Sequence, residues 1–359
     1  MSNIKDWFTR DTMGEMADRI INERQDFPKD AFLEKIFSEE WEQMEMFARL
    51  SHISRVLARL LGNYPASLDV MRAILTGPDA IWKLAVSQYV AVNGLGHLKE
   101  SAAAMEHITK YTTCEFAVRP FIDKYPAEML EILLEWSKSD NEHVRRLASE
   151  GTRYAIPWGA RLQTVKENPA YALLILENLK DDQSEYVRKS VANNLNELSK
   201  IAPDLVIALV SKWKGGSKNT DWIVKHASRT LLKKSHPQIL EFFGLTKPEA
   251  ISVNLLSVSP MVKLNDELVF SFEVINKTDE GIKLRIGYDI GFLKSNGKIN
   301  HKENKLSERV CKPGVITIER KHKIFETSGR KIYFGRHELK ITINGCVMAE
   351  AEFMVVRGD

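Results

Sequence analysis

A helical stripe that returns three times is the feature that most constrains this chain. Aligned on a β-branched residue, the three segments are EHVRRLASEGT from Glu142, EYVRKSVANNL from Glu185 and DWIVKHASRTL from Asp221. Their apolar positions coincide at Val144, Val187 and Ile223, at Ala148, Val191 and Ala227, and less cleanly at Thr152, Leu195 and Leu231. Steps of four residues keep such a set on one helix face. The anchors lie 43 and 36 residues apart. A period near 40 with two helices per unit predicts a HEAT-type solenoid, in which each unit buries its stripe against its neighbours. Opposite the stripe runs a polar face made of Arg146 and Glu150, Lys189 and Asn193, Lys225 and Arg229. It is basic except at Glu150, a carboxylate where the sister repeats carry none.

Helical spacing extends to both sides. Trp41, Met44, Phe47, Leu50, Ile53, Leu57 and Leu60 recur every three or four residues, an amphipathic pattern. Pro28 suits a first helical turn and Gly62 a C-cap. Thr112 and Glu115 have capping-box spacing, as do Ser139 and Glu142, so helices are expected to open at both places. More helices are expected over 168–180, 184–200, 203–213, 220–234 and 237–243. After Gly244 the period falls to two in ISVNLLSVS, ELVFSFEVIN, IKLRIGYDIGF, VITIERKHKIF, RHELKITING and VMAEAEFMVV. Turn signals stand at Asn276-Lys-Thr-Asp, Asn296-Gly297, Pro313-Gly314 and Asn344-Gly345. These features predict an immunoglobulin-like β-sandwich, without the buried Trp of antibody domains, since no Trp follows residue 222. The expected fold is therefore multidomain, α then β, with a HEAT-like solenoid over 1–246 and an Ig-like sandwich over 247–359.

Charge is unevenly spread. The net charge is −6 over 1–48, +6 over 141–236 and +3 over 248–359. A basic middle suggests a polyanionic partner, although a solvated helical surface would look the same. No run of about 18 apolar residues occurs, so no membrane span is expected. The opening MSNIKDWFTRDTMGEM lacks the apolar core of a secretion signal. Cys114, Cys311 and Cys346 show neither CxxC nor histidine spacing, which argues for a reducing compartment and against zinc. A cytoplasmic monomer without metal or cofactor is the expectation. Gly94-Leu-Gly96 lacks a third glycine in register and is no nucleotide loop.

A solenoid lines up equivalent positions of successive repeats on a concave face. Arg146, Lys189, Lys225 and Arg229, with Asn193 among them, could track DNA phosphates. Arg153 lies close beyond Glu150, and Trp158 and Trp222 offer flat faces near the row. A carboxylate facing DNA is repelled by phosphate, so Glu150 needs a positive reason to be there. Stabilising a cation is one such reason. Plainer readings stand beside this. Glu150 pairs only with Arg146, or Glu115 only caps its helix or pairs with Arg119. Trp158 then packs at a helix end after Pro157, and the basic row is solvent-facing. On the residues alone, an enzyme and a non-enzymatic HEAT scaffold binding DNA or protein both remain open.

The segments TTCEFAVRPFI, NEHVRRLASEGTRYAIPW, SEYVRKSVANNLNELSK and DWIVKHASRTLLKKSHP closely resemble the AlkC branch of the AlkC/AlkD DNA glycosylases. The β region resembles the Ig-like extension of a subset of AlkC proteins. The resemblance implies a monofunctional glycosylase that excises cationic N-alkylated bases, chiefly 3-methyladenine and 3-methylcytosine, from double-stranded DNA. It implies no metal or cofactor, and attack on a lesion that stays stacked rather than being swung into a pocket. Glu150 and Glu115 match the family's acidic active-site positions, and Arg146, Arg153 and Trp158 match its motif positions near the lesion. Asn193 departs from the AlkD cousins, which carry an aromatic there, so their lesion-stacking set does not transfer.

Overall fold

The computed structural model describes residues 4–245, 249–327 and 329–358. Packing divides the chain into two units, Met1–Ala227 and Ser228–Asp359. The boundary expected at 246/247 lies outside the described residues. The division at Ala227 assigns the short helices Arg229–Lys233 and Pro237–Phe242 to the unit that carries the strands.

In the first unit, the helices from Arg10–Glu23 to Leu98–Ile108 enclose a core that includes Met13, Phe32, Leu57, Trp82 and Tyr89. Gly62 caps Met46–Leu61 at φ +76°, as its position suggests. Three helix pairs follow. Pro126–Trp136 pairs with Glu142–Gly151, Ala170–Asn178 with Glu185–Leu198, and Pro203–Trp213 with Lys218–Ala227. The second helix of each pair carries the repeated stripe, and Glu185–Leu198 packs against both of its sisters. Val144, Ala148, Val187, Val191, Ile223 and Ala227 are all fully buried there.

Thr152, the poorest match in the stripe, is buried as well, and its hydroxyl has partners. Asn194 Nδ2 donates to Thr152 Oγ1 at 3.1 Å and to the Ser149 carbonyl at 2.7 Å, while Ser190 Oγ lies 3.0 Å from Ser149 Oγ. The seam between these two repeats is therefore partly polar, and most of its buried groups are satisfied within it.

Three local expectations are corrected. The helix expected over 220–234 breaks at Ser228, giving Lys218–Ala227 and Arg229–Lys233. No capping box forms at Thr112. Thr113 Oγ1 accepts from the Glu115 N–H at 3.2 Å, and the helix begins only at Arg119–Lys124. At the second site Asn141 is the N-cap, its Oδ1 accepting from His143 N–H at 2.9 Å, while Ser139 Oγ accepts from Asn141 N–H. In both places a side chain reaches the N–H two residues on, which competes with the longer capping-box reach. The glutamates are drawn elsewhere, Glu115 to Arg146 and Glu142 to the Ser184 hydroxyl.

The second unit contains β1 (Ile251–Val258), β2 (Met261–Lys263), β3 (Glu267–Asn276), β4 (Ile282–Leu293), β5 (Ile299–Cys311), β6 (Gly314–Lys323), β7 (Gly335–Ile343) and β8 (Cys346–Val356). They form a three-stranded sheet, β1-β3-β6, and a five-stranded sheet, β2-β8-β7-β4-β5. Phe270, Phe272, Leu284, Ile286, Ile290, Leu339, Ile341 and Phe353 share one core, as the alternation requires. β2 and β5 were not legible from alternation. β2 is three residues long, and β5, INHKENKLSERVC, is a largely exposed edge strand rich in charge, a usual way to blunt a sheet edge.

Asn344 and Gly345 close β7 onto β8, both with left-handed backbone, at φ +47° and +78°. This two-residue hairpin type calls for Asn-Gly. A Cβ on Gly345 would also overlap the Ser235 side chain, within the second unit. Gly345→Ala is expected to cost about 1 kcal/mol or more and to lower the thermal midpoint of this unit by about 4 °C or more. Gly297→Ala, left-handed but with open space around it, should cost less in the same melting experiment.

Candidate active site

Arg146 and Glu150 stand one turn apart on Glu142–Gly151, yet they are more than an i,i+4 pair. Arg146 Nη2 lies 2.6 Å from Glu115 Oε2 and 3.7 Å from Glu150 Oε1, so one guanidinium serves two carboxylates. Arg146 Nη1 donates to Thr113 Oγ1 at 3.2 Å, and its guanidinium carbon sits 5.3 Å from the centre of the Tyr186 ring. Burial works against the Arg146 charge, but Glu150 and Glu115 outweigh it and hold its pKa above the ordinary value.

Glu150 is 5% exposed. Arg153 Nη1 donates to its Oε1, and Ser190 Oγ donates to its Oε2 at 2.6 Å. Both oxygens are thus engaged, and Arg146 is the more distant of its two cations. Arg153 is buried too, and its Nε has no hydrogen-bond partner among the described residues. The Glu115 side chain is 17% exposed, and its contact to Arg146 uses Oε2. Its Oε1 hydrogen-bonds to none of the described residues. Glu115 neither caps a helix nor pairs with Arg119, which turns inward to backbone carbonyls.

The helix gives way after Gly151 to an irregular segment that carries Trp158. Gly159 N–H donates to the Ile156 carbonyl at 3.2 Å, closing a turn with Pro157 second and Trp158 third. Trp158 lies at φ +64° and is 72% exposed. The packed helix-end reading is therefore overturned. A left-handed backbone at a bulky residue costs about 1–3 kcal/mol and is found chiefly at functional sites. Beside it lies a cavity of about 260 Å³, walled by Trp158, Phe47, Phe116, Arg119, Asp123 and Arg161. The Phe47 and Phe116 rings meet edge to face at 4.8 Å. Several of its polar groups are engaged, while Arg161 is exposed. Arg119 binds carbonyls, Asp123 accepts from Gln163 and Thr164, Gln88 donates to Ser51, and Arg161 lies over Tyr154.

The other sequence candidates are spread over neighbouring helices. Lys189 is exposed and pairs with Glu185 at 2.7 Å. Asn193 and Lys225 are half-buried, and Trp222, also half-buried, stacks on His226 with centroids 4.0 Å apart. Arg229 does not continue the Lys225 helix. It opens the next one, in the second unit, beside a cavity of about 340 Å³ shared with Lys233, Arg285, Glu303 and Lys305. The structure thus gathers Glu115, Arg146, Glu150 and Arg153 into one ion-paired cluster. Trp158 stands on the segment leading away from it. Sequence reasoning missed Thr113, Tyr186 and Ser190. A signal for the last two existed: Tyr186, Ser190 and Asn194 recur every four residues, on a face turned to the preceding repeat.

Comparison with known proteins fits this geometry. Residues 252–357 match the family model of the uncharacterised protein YhaZ, C-terminal Ig-like domain, and residues 87–231 match the model described as DNA alkylation repair enzyme. The chain is 36% identical to the uncharacterized protein YhaZ of Bacillus subtilis (strain 168), over 99% of its own length and 100% of that relative. Among solved structures, the alkylpurine DNA glycosylase AlkC of Pseudomonas fluorescens, bound to DNA containing an abasic site analog, matches with a TM-score of 0.94. That match is at 31% identity and covers 99% of this chain and 100% of that one. A helical-repeat scaffold followed by a β-sandwich therefore has a family: the chain belongs to the AlkC-type DNA glycosylases of the AlkC/AlkD superfamily, with a C-terminal Ig-like domain.

Proposed function

We propose that this protein hydrolyses the N-glycosidic bond of cationic N-alkylated bases, chiefly 3-methyladenine and 3-methylcytosine, in cytoplasmic duplex DNA, with the lesion left in the helix. The observation that carries the proposal is the paired arrangement of Glu115 and Glu150 around Arg146. The alkylated base already bears positive charge. When the bond from C1′ breaks, its electron pair leaves with the base, which departs neutral, and the positive charge passes to the sugar. Glu150, fixed at both oxygens, supplies negative field to that oxocarbenium-like sugar. Glu115, with Oε1 open and more exposure, holds the attacking water and receives its proton as oxygen bonds to C1′. No amine nucleophile is needed, so strand cleavage is not part of the reaction.

Glu150→Gln keeps the size of the side chain and removes its charge. It is expected to slow single-turnover release of 3-methyladenine by about 10²-fold or more. Affinity for a duplex with an abasic-site analogue should hold or rise, because phosphate repulsion falls. Near-normal release would remove Glu150 from catalysis and favour a binding scaffold.

Lys189 and Lys225, with Asn193 and Trp222 on the same stacked helices, are assigned to the DNA backbone, and Arg229 to the same role from the second unit. Lys189→Ala and Lys225→Ala should weaken binding to damaged and undamaged duplex alike, each flattening the salt dependence by about one unit of slope. If neither changes the slope, the row is solvent-facing.

Selectivity follows from the cavity beside Trp158. Its aromatic walls suit the faces of a planar group, but Arg119 and Asp123 are committed inside the protein, which leaves the exposed Arg161 as the charged group of its lining turned outward. Release must then depend on the lesion's own lability. Uracil, hypoxanthine and 8-oxoguanine, which are neutral, should be refused, since each 1.4 kcal/mol of poorer leaving ability is about tenfold in rate. Release rates on a matched duplex series measure this, and robust uracil or hypoxanthine release would contradict the mechanism.

A further inference from the structure

Arg119 is 6% exposed, and no ion-pair partner lies within 4.0 Å of it among the described residues. Of the two acids four residues away, Glu115 is drawn to Arg146, and Asp123 is occupied by the Gln163 and Thr164 N–H groups and the Thr164 hydroxyl. Burial pushes the Arg119 pKa down to about 10, against the opposing pull of Asp123, Glu115 and Glu150. What answers its charge directly is backbone. Nη1 donates to the carbonyls of Gly151 at 3.2 Å and Arg153 at 2.7 Å, and Nη2 donates to those of Tyr154 at 3.2 Å and Ala160 at 2.6 Å. A buried charge held this way is costly, and an apolar side chain of similar volume is often the more stable choice.

We propose that Arg119 is a positioning residue for the reaction, clamping both ends of the segment from Gly151 to Ala160 so that Arg153 meets Glu150 and the strained Trp158 turn stays presented. The segment leaves the helix, so its carbonyls lose their helical donors and need others. Three of the clamped carbonyls precede the Pro157-Trp158 turn and one follows it, so the planar fork closes the loop across its neck, beside the Leu162 N–H that donates to the Tyr154 carbonyl at 2.9 Å. A lysine has the charge but not the rigid fork, and cannot hold both ends in one geometry. The Arg153 carbonyl is bound at one end of that residue while its guanidinium binds Glu150 at the other. The clamp therefore fixes where one partner of the catalytic carboxylate stands, without touching the carboxylate itself. Trp158 depends on it in a second way, because a left-handed residue reverts unless its surroundings over-determine it.

The inference rests on the glycosylase reading for its activity measurement, and the two fail differently: wild-type protein that releases no base defeats the reading, not the clamp. Arg119→Lys is made in the full chain, alone and together with Arg153→Gln and Trp158→Asn. Single-turnover 3-methyladenine release, affinity for the abasic-analogue duplex and far-UV circular dichroism are measured. The single variant is expected to stay folded and release base about 10²-fold more slowly, the usual scale for displaced catalytic groups, with affinity much less changed. In the doubly substituted background the same lysine should add under about threefold, because the groups it acts through are gone. Wild-type release by a folded Arg119→Lys protein overturns the proposal. So does a slowing that persists in full in the doubly substituted background. Should the lysine variant fail to fold, Arg119→Gln, which keeps an amide donor for one end of the segment, is judged by the same two outcomes.

Discussion

Two carboxylates held close together in a mostly buried place repel each other, and the first unit is arranged to make that repulsion tolerable. Arg146 stands between Glu115 and Glu150, Arg153 binds the same Glu150 oxygen that Arg146 faces, and the Ser190 hydroxyl takes the other. A buried charge survives only when paired and hydrogen-bonded, and the removal of one partner from such a set is felt by all the others. The pairing also explains why a basic face can contain an acid. The field of the carboxylates is focused where their cations leave it open, at Glu115 Oε1, rather than cancelled throughout.

That arrangement needs elements from several places in the chain to arrive together. Glu115 comes from the turn before Arg119–Lys124, Arg146 and Glu150 from one repeat helix, and Ser190 from the next. The repeat stack supplies the precision. Apolar stripes set the spacing between neighbouring helices, and a helix rather than a loop carries Arg146, Glu150 and Ser190, which limits their freedom. The exception is the segment after Gly151, where the helix ends and Trp158 needs a backbone that no helix can give. It is there that a buried arginine replaces the missing helical hydrogen bonds.

Much of this was readable from residues alone, for physical reasons. The stripe anchored at Val144, Val187 and Ile223 was visible because helical burial has a period, and the change near Gly244 because strands have another. Glu150 stood out because its sister positions carry no acid. Other features were hidden because they depend on partners distant in sequence. Nothing local shows that Glu115 will reach Arg146 rather than cap a helix, or that Arg119 will turn away from Glu115 to bind carbonyls. Ser190 is hidden because nothing beside it in sequence marks the carboxylate of the preceding repeat that its hydroxyl meets. The break at Ser228 and the edge strand β5 escaped because neither has a periodic signature: one interrupts a pattern, and the other is mostly polar with its few apolar residues irregularly spaced.

The polar seam between Glu142–Gly151 and Glu185–Leu198 bears on how the chain assembles. Repeats with nearly interchangeable apolar stripes risk stacking in the wrong order while the chain is still collapsing. Ser149, Thr152, Ser190 and Asn194 form bonds that exist only between these two helices. In the repeat of Lys218–Ala227 the counterparts of Ser149 and Thr152 are Ser228 and Leu231, the second an apolar residue. A swapped pairing would set Leu231 where Asn194 now meets the Thr152 hydroxyl, at a penalty of about 1–3 kcal/mol for the buried group left without that partner. The polar seam beside Glu150 therefore also favours the neighbour that carries Thr152 over its sister repeat.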